Sequence, residues 1–452
     1  MTNTYTRRDF IRFAGMSAAA TALPLPDLFA ADYIKPNVIV ILADDQGFAD
    51  VSVHGCKDSP TPNIDSIARN GIRFTDGYTS CPVCSPMRAG LLTGRYQQRF
   101  GFYHNPPSDL DRTNWGLPLD QKTFAQYMKA EGYATGAIGK WHLGDNEPFH
   151  PNKRGFDEFF GFIGGAHNYL QPESGSFNAV QRNGKPVDEK FYLTYAFGRE
   201  AVSFIEKNKE KPFFLYLAFN APHSPLQAAP RDDKAFPEIK DERRRTFAKM
   251  QLAMDNVVGD VLAKVREEQL EDDTLIIYMS DNGGPTPGNT SRNDPFKGFK
   301  TQVHEGGIRV PFMMQWKGKI PAGKTYSKPV ISLDILPTAV AASGGKVADN
   351  LDGVNLLPYL KGDDPGAPHE SLCWLFDKQS AVRKGEWKLS RHEEHGMRLH
   401  NLANDPGEKN DLASEDADKV SELLAAWDRW NAKNVKPLWP SKTDAPWTDT
   451  DW

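Results

Sequence analysis

The chain is poor in cysteine, with four thiols (Cys56, Cys81, Cys84 and Cys373) among 452 residues. That is too few for a disulfide scaffold in a chain of this length. Zinc is poorly served as well: Cys81 and Cys84 form one C-x-x-C pair, and Cys56 and Cys373 do not supply a second. An excess of positive charge is also missing, since 54 Lys plus Arg stand against 59 Asp plus Glu, a net −5. Without a global positive field the chain is not expected to hold nucleic acid, and any anionic ligand must be caught locally. No segment is long and apolar enough to span a bilayer, and no internal repeat or low-complexity tract divides the chain.

The N-terminal stretch "TRRDFIRFAGMSAAATALPLPDLFA" places Arg7 and Arg8 before a modest apolar run of small residues, interrupted by Pro24 and Pro26. Residues 1–30 read as a twin-arginine export signal, with the translocation machinery as partner and the periplasm or exterior as destination.

Beyond it, apolar β-branched runs alternate with helical patterns. "NVIVILADDQG" reads as a buried strand, "TPNIDSIARNG" as a helix capped by Thr61, and "TFAQYMKAEG" as a helix leading to the strand "YATGAIGKWHLG". "AFGREAVSFIEKN" leads likewise to "KPFFLYLAFNAPH", and a helix over about Glu242 to Gln269 leads to "TLIIYMSDNGG". This alternation predicts an α/β fold, a large mainly parallel (mixed) sheet sandwiched by helices, over residues 31–365. From residue 366 to 452, "ESLCWLF", "SAVRKGEWKLSR" and "MRLHNLA", followed by a helix, predict a small antiparallel subdomain.

In parallel α/β sheets the site lies beyond the carboxyl ends of the strands. Here Asp44 and Asp45, Lys140 and His142, His223, and Asp281 with Asn282 each follow an apolar run. The acids and Asn282 offer oxygen ligands alone, a set for calcium or magnesium, although Asp and Asn also favour caps and turns. His142 and His223 read singly as buried histidines, and Lys140 as a solvated charge.

Taken together with "CSPMRAGLLTGR", the blocks "ADDQG", "GKWHLG", "APH", "SDNGG", "FKTQVHEGGIRVP" and "LHNLANDPGEKNDLA" resemble, in order, those of the type I sulfatases. These are the formylglycine-dependent branch of the alkaline-phosphatase superfamily. The resemblance implies that a separate maturation enzyme oxidises Cys84 to formylglycine, whose hydrate offers two hydroxyls on one carbon. One attacks sulfur and displaces the alcohol; the other then releases sulfate and restores the aldehyde. It further implies one calcium ion on Asp44, Asp45, Asp281, Asn282 and the modified Cys84. Arg88 would steady the nucleophile, Lys140 and Lys300 would grip sulfate and bridging oxygens, His142 would accept the proton of the second hydroxyl, and His223, with Lys300, would serve the leaving alcohol. Cys81 receives no role. Met87 and His304 depart from the usual pattern, the latter where an aromatic residue often stands.

The expected substrate is a sulfated carbohydrate of galactose or N-acetylgalactosamine type, met by Arg99, His104, Asn105, His167, Asn168 and His304, with Phe100, Phe102, Tyr103 and Tyr169 available for stacking. The rival readings are a formylglycine-type phosphonate or phosphodiester hydrolase and a non-catalytic sulfated-glycan binding protein.

Overall fold

A computed structural model describes residues 35–107, 115–170 and 178–440. The expected export signal, the last twelve residues of the expected C-terminal subdomain, and part of the loop after Leu170 lie outside that set.

β1 (Asn37–Ala43) runs through the middle of the main sheet and is buried throughout. Val38, Val40 and Leu42 point into one core and Ile39, Ile41 and Ala43 into the other, which is why its sequence is continuously apolar rather than alternating. β1 pairs in parallel with β8 (Phe213–Ala218) and β9 (Thr274–Ser280); β4 (Ala134–Lys140) continues the parallel set between β8 and β5 (Glu158–Phe162). On the far side of β9, β10 (Phe312–Gln315) joins antiparallel, followed by β2 (Ile72–Phe74) and β11 (Lys324–Tyr326). The sheet is therefore mixed around a parallel centre, as predicted. The long Glu242–Glu267 helix and the Leu193–Asn208 helix cover one face, and the Cys84–Thr93, Phe124–Ala130 and Ile335–Ala342 helices cover the other. No helix among the described residues is long and apolar enough to cross a membrane.

Two local expectations are corrected. Thr61 does not cap the Pro62–Arg69 helix with its side chain, which is engaged with Ser52 and Asp65. Asp255, from the long helix, takes over by accepting the Asn63 and Ile64 N–H groups, the latter at 2.9 Å. The segment "SAVRKGEWKLSR" is not one strand but two, β14 (Gln379–Lys384) and β15 (Trp387–His392). It reverses at Gly385, whose φ of 58° lies in the left-handed region that glycine enters freely. With β13 (Leu372–Phe376) and β16 (Gly396–Asn401) these strands form a four-stranded antiparallel sheet, on which the Ala417–Asn431 helix packs.

Candidate active site

Cys84 is the first residue of its helix, so its side chain sits among backbone N–H groups with no intrahelical partner, where negative charge is favoured. Its Sγ lies 3.4 Å from His142 Nδ1 and 3.8 Å from Asn105 Oδ1. Ser85 ties this corner together: its N–H donates to Asn105 Oδ1 at 3.2 Å and its hydroxyl donates to the His142 carbonyl. His142 and Asp45 both adopt left-handed φ, 60° and 67°. Non-glycine residues rarely hold that conformation, and here neighbouring bonds impose it: Asp45 N–H donates to Asp281 Oδ1 at 3.2 Å, and His142 N–H to Ile163 O at 3.0 Å.

Beside the thiol, three carboxylates interleave with three cations. Lys140 Nζ stands 2.5 Å from Asp44 Oδ2, Lys300 Nζ 2.7 Å from Asp45 Oδ1, and Arg88 Nη2 2.9 Å from Asp281 Oδ2. Asn282 Nδ2 donates to Asp45 Oδ1 at 2.7 Å, and His223 Nε2 lies 3.5 Å from Asp45 Oδ2. His223 Nδ1 carries its hydrogen to the Ser224 carbonyl at 2.6 Å, which leaves Nε2 as the atom facing the site.

Burial opposes charge on Asp44, but Lys140, His223 and Arg88 outweigh it and hold that carboxyl below its ordinary range. Asp45 is held down in the same way by Lys300 and His223, whereas burial and the neighbouring Asp44 push Asp281 up. Burial, reinforced by Lys140, Arg88 and Lys300, keeps the His142 imidazole neutral. Cys81 is buried, unbridged, and its thiol is pushed upward by burial, so it is an inert neighbour of Cys84.

The donor set fits a hard cation. Asp44 Oδ1 and Asn282 Oδ1 are buried without a hydrogen-bond partner, a costly condition for oxygens unless another group claims them. Asp44, Asp45 and His223 offer ligand atoms within 4.8 Å of one another, but the surrounding donors are oxygens, as calcium or magnesium requires.

The substrate-side expectations fare unevenly. Asn105 reaches the thiol, and His104 lies near it in sequence with Nδ1 3.5 Å from Asp377 Oδ1. The loop bearing His167 and Asn168 borders the site, since a Cβ on Gly165 would stand 2.6 Å from His142 Nε2. His167 itself is buried and turned to the Asn168 carbonyl. Arg99 and His304 are corrections. Arg99 is spent on Asp352, the Trp430 carbonyl and Asn434, and His304 is fully buried against Glu408. The aromatic residues are corrections too: Phe102 packs edge-on to Trp439, and Tyr169 donates its hydroxyl to the Asn220 and His223 carbonyls, bracing the His223 turn from below. Ser85 and Tyr169 thus shape the site without a signal that sequence reasoning could read as such.

The family description "Sulfatase" matches residues 36–345, and "N-sulphoglucosamine sulphohydrolase, C-terminal" matches residues 298–427. The N-acetylgalactosamine-6-sulfatase of Canis lupus familiaris is 31% identical over 400 residues, covering 83% of this chain and 73% of the dog protein. An arylsulfatase of Hemicentrotus pulcherrimus is 33% identical over 386 residues, covering 79% of this chain and 68% of that one. Among solved structures, Ps i-CgsB in complex with k-i-k-neocarrahexaose superposes with a TM-score of 0.86 and 40% identity, over 90% of this chain and 95% of the other. The chain belongs to the sulfatase family of the alkaline-phosphatase superfamily, and it is a sulfuric ester hydrolase.

Proposed function

We propose that this enzyme removes sulfate from a sulfated carbohydrate, of galactose or N-acetylgalactosamine type, with Cys84 matured to formylglycine as its nucleophile. The observation that carries the reading is the position of Cys84: at a helix N-terminus, 3.4 Å from His142, in a site where Asp44 Oδ1 and Asn282 Oδ1 are buried without a hydrogen-bond partner. The hydrated aldehyde supplies two hydroxyls on one carbon, one to displace the alcohol from sulfur and one to release sulfate. Asp44, Asp45, Asp281 and Asn282 would hold a calcium ion, which supplies positive charge beside the nucleophile and the sulfate oxygens.

The rest falls to the chain's own groups. Three carboxylates and three cations leave the pocket near neutrality, so a divalent ion makes it a local anion trap in a chain of net −5. Arg88, with both ends of its contacts buried, fixes Asp281 and Asp44. His142, neutral and against Cys84, is set to accept the proton of the second hydroxyl. His223 Nε2 and the Lys300 ammonium lie on either side of Asp45 and serve the departing alcohol, where charge grows as the S–O bond breaks.

The carbohydrate reading draws on the names of the relatives, N-acetylgalactosamine-6-sulfatase and Ps i-CgsB in complex with k-i-k-neocarrahexaose. Of the expected sugar contacts, Asn105 stands at the thiol, and His104, its neighbour in sequence, and Asn168, on the Gly165 loop, are the proposed further partners for a sugar's hydroxyls. The twin-arginine segment supports export, with maturation of Cys84 completed in the cytoplasm beforehand. Turnover of an aryl sulfate against an aryl phosphate, then of a panel of defined sulfated oligosaccharides, tests the proposal. It expects sulfate over phosphate and at least one saccharide desulfated; preference for phosphate, or turnover of lipid or steroid sulfates with every saccharide refused, overturns it.

A further inference from the structure

Lys300 belongs to neither helix nor strand, yet its ammonium is held 2.7 Å from Asp45. The next residue, Thr301, has φ 74°, a left-handed conformation that a β-branched residue rarely adopts. Something must hold it there. On one side the Thr301 N–H donates to Pro82 O at 2.9 Å, two residues before Cys84. On the other side stands Gln379, the first residue of β14 and 1% exposed. Its Nε2 donates to Thr301 O at 3.1 Å, and its Oε1 accepts the Val303 N–H at 3.2 Å. Farther along the same segment, the Glu305 N–H donates to Glu408 Oε2 at 2.7 Å, and Lys388 Nζ of β15 lies 2.9 Å from both Glu305 and Glu408 in full burial.

We propose that Gln379 is a positioning residue for Lys300, so that the small antiparallel sheet forms part of the catalytic apparatus. One primary amide satisfies a carbonyl and an N–H two residues apart, and this pins the backbone that sets the direction of the Lys300 side chain. The amide itself is buried, and losing its two bonds leaves the Pro82 carbonyl as the remaining brace on the strained Thr301. The ammonium would then drift from the bridging oxygen, and positional errors of this kind are expensive in rate. The inference rests on the role proposed above for Lys300.

The test is a double-mutant cycle on turnover of an aryl sulfate by calcium-loaded, matured enzyme. Gln379→Met keeps the volume and removes both hydrogen bonds; it should lower kcat about tenfold to a hundredfold, with KM changed less than about threefold. In a Lys300→Ala background the same substitution should cost less than about twofold more, because the group it positions is gone. Cooperative thermal unfolding confirms that each variant is folded. If Gln379→Met does not fold, Gln379→Glu, which keeps the acceptor and loses the donor to Thr301, is carried through the same cycle with the same expectation. Equal losses in both backgrounds, or an unchanged kcat in the single variant, overturn the inference while leaving the role of Lys300 intact. A Lys300→Ala enzyme with wild-type turnover overturns that role, and the inference with it.

Discussion

Lys140 and Asp44 form an ion pair with no exposed side-chain surface, Nζ to Oδ2 2.5 Å, that reaches across the end of β8 from the last residue of β4 to the residue after β1. Removing the Lys140 ammonium leaves the buried Asp44 carboxylate with Arg88 Nη2, 3.5 Å away, as its remaining ion-pair partner. Lys140→Ala should therefore lower stability by less than about 3–5 kcal/mol, the cost of a wholly uncompensated buried charge. It should also cut kcat/KM by about a hundredfold to a thousandfold if the ammonium meets charge that develops on sulfate. Denaturant unfolding and steady-state kinetics on one preparation give both numbers; a stability loss with unimpaired kcat/KM would make Lys140 purely structural.

Chelation should reduce activity and melting temperature together, and calcium should restore both, because an ion bound only by the folded state stabilises it by mass action. Asp45→Asn and Asp281→Asn should each weaken that calcium-dependent shift. Anomalous scattering showing zinc on sulfur ligands would contradict the oxygen-only site.

Asp255 provides a pH test far from the chemistry. Burial pushes its carboxyl from the ordinary 3.8 up to about 6. The native state therefore binds the proton more tightly than the unfolded chain, so this contribution is complete below about pH 4 and is lost as pH rises through about 6. The stability difference between wild type and Asp255→Asn should shrink across that window and stay level above it. A difference that widens with rising pH would mean that the Asp255 carboxyl is held down, not pushed up, in the folded chain.

How much of this was legible in the sequence follows from how each residue is held. β1, β8 and β9 are buried on both faces, so their apolar runs stood out, and the polar residues that end them fell where a parallel sheet puts its chemistry. Arg99, His304 and Tyr169 were misread because what claims them is remote in the chain. Asp352 and Trp430 bind the first, Glu408 faces the second, and the carbonyls of Asn220 and His223 take the third. The same distance hides Asp255 as the cap of Pro62–Arg69 and Gln379 as the brace of Thr301. Local patterning reports which face a residue is on, not which distant partner will consume its hydrogen bonds.

A substitution at His104 tests the proposed sugar recognition apart from the chemistry. The His104 ring lies 5.8 Å from Phe376 and beside Asp377, on the loop that also carries Asn105 to the thiol. His104→Ala should raise KM for a sulfated oligosaccharide more than for a small aryl sulfate, with kcat for the aryl ester little changed. Equal effects on both substrates would show that the loop supports the catalytic core instead.

Formylglycine at Cys84 requires that its sulfur be exchanged for an aldehyde oxygen before the enzyme works. Peptide mass spectrometry of fully active protein, made in the presence of a formylglycine-generating enzyme, measures it directly at the peptide spanning Cys84 and Arg88. The account predicts the aldehyde, in a proportion that tracks specific activity, and predicts that Cys84→Ser folds normally but does not turn over, since one hydroxyl can take up sulfate but cannot expel it. Full activity with an unmodified thiol at Cys84 would contradict it.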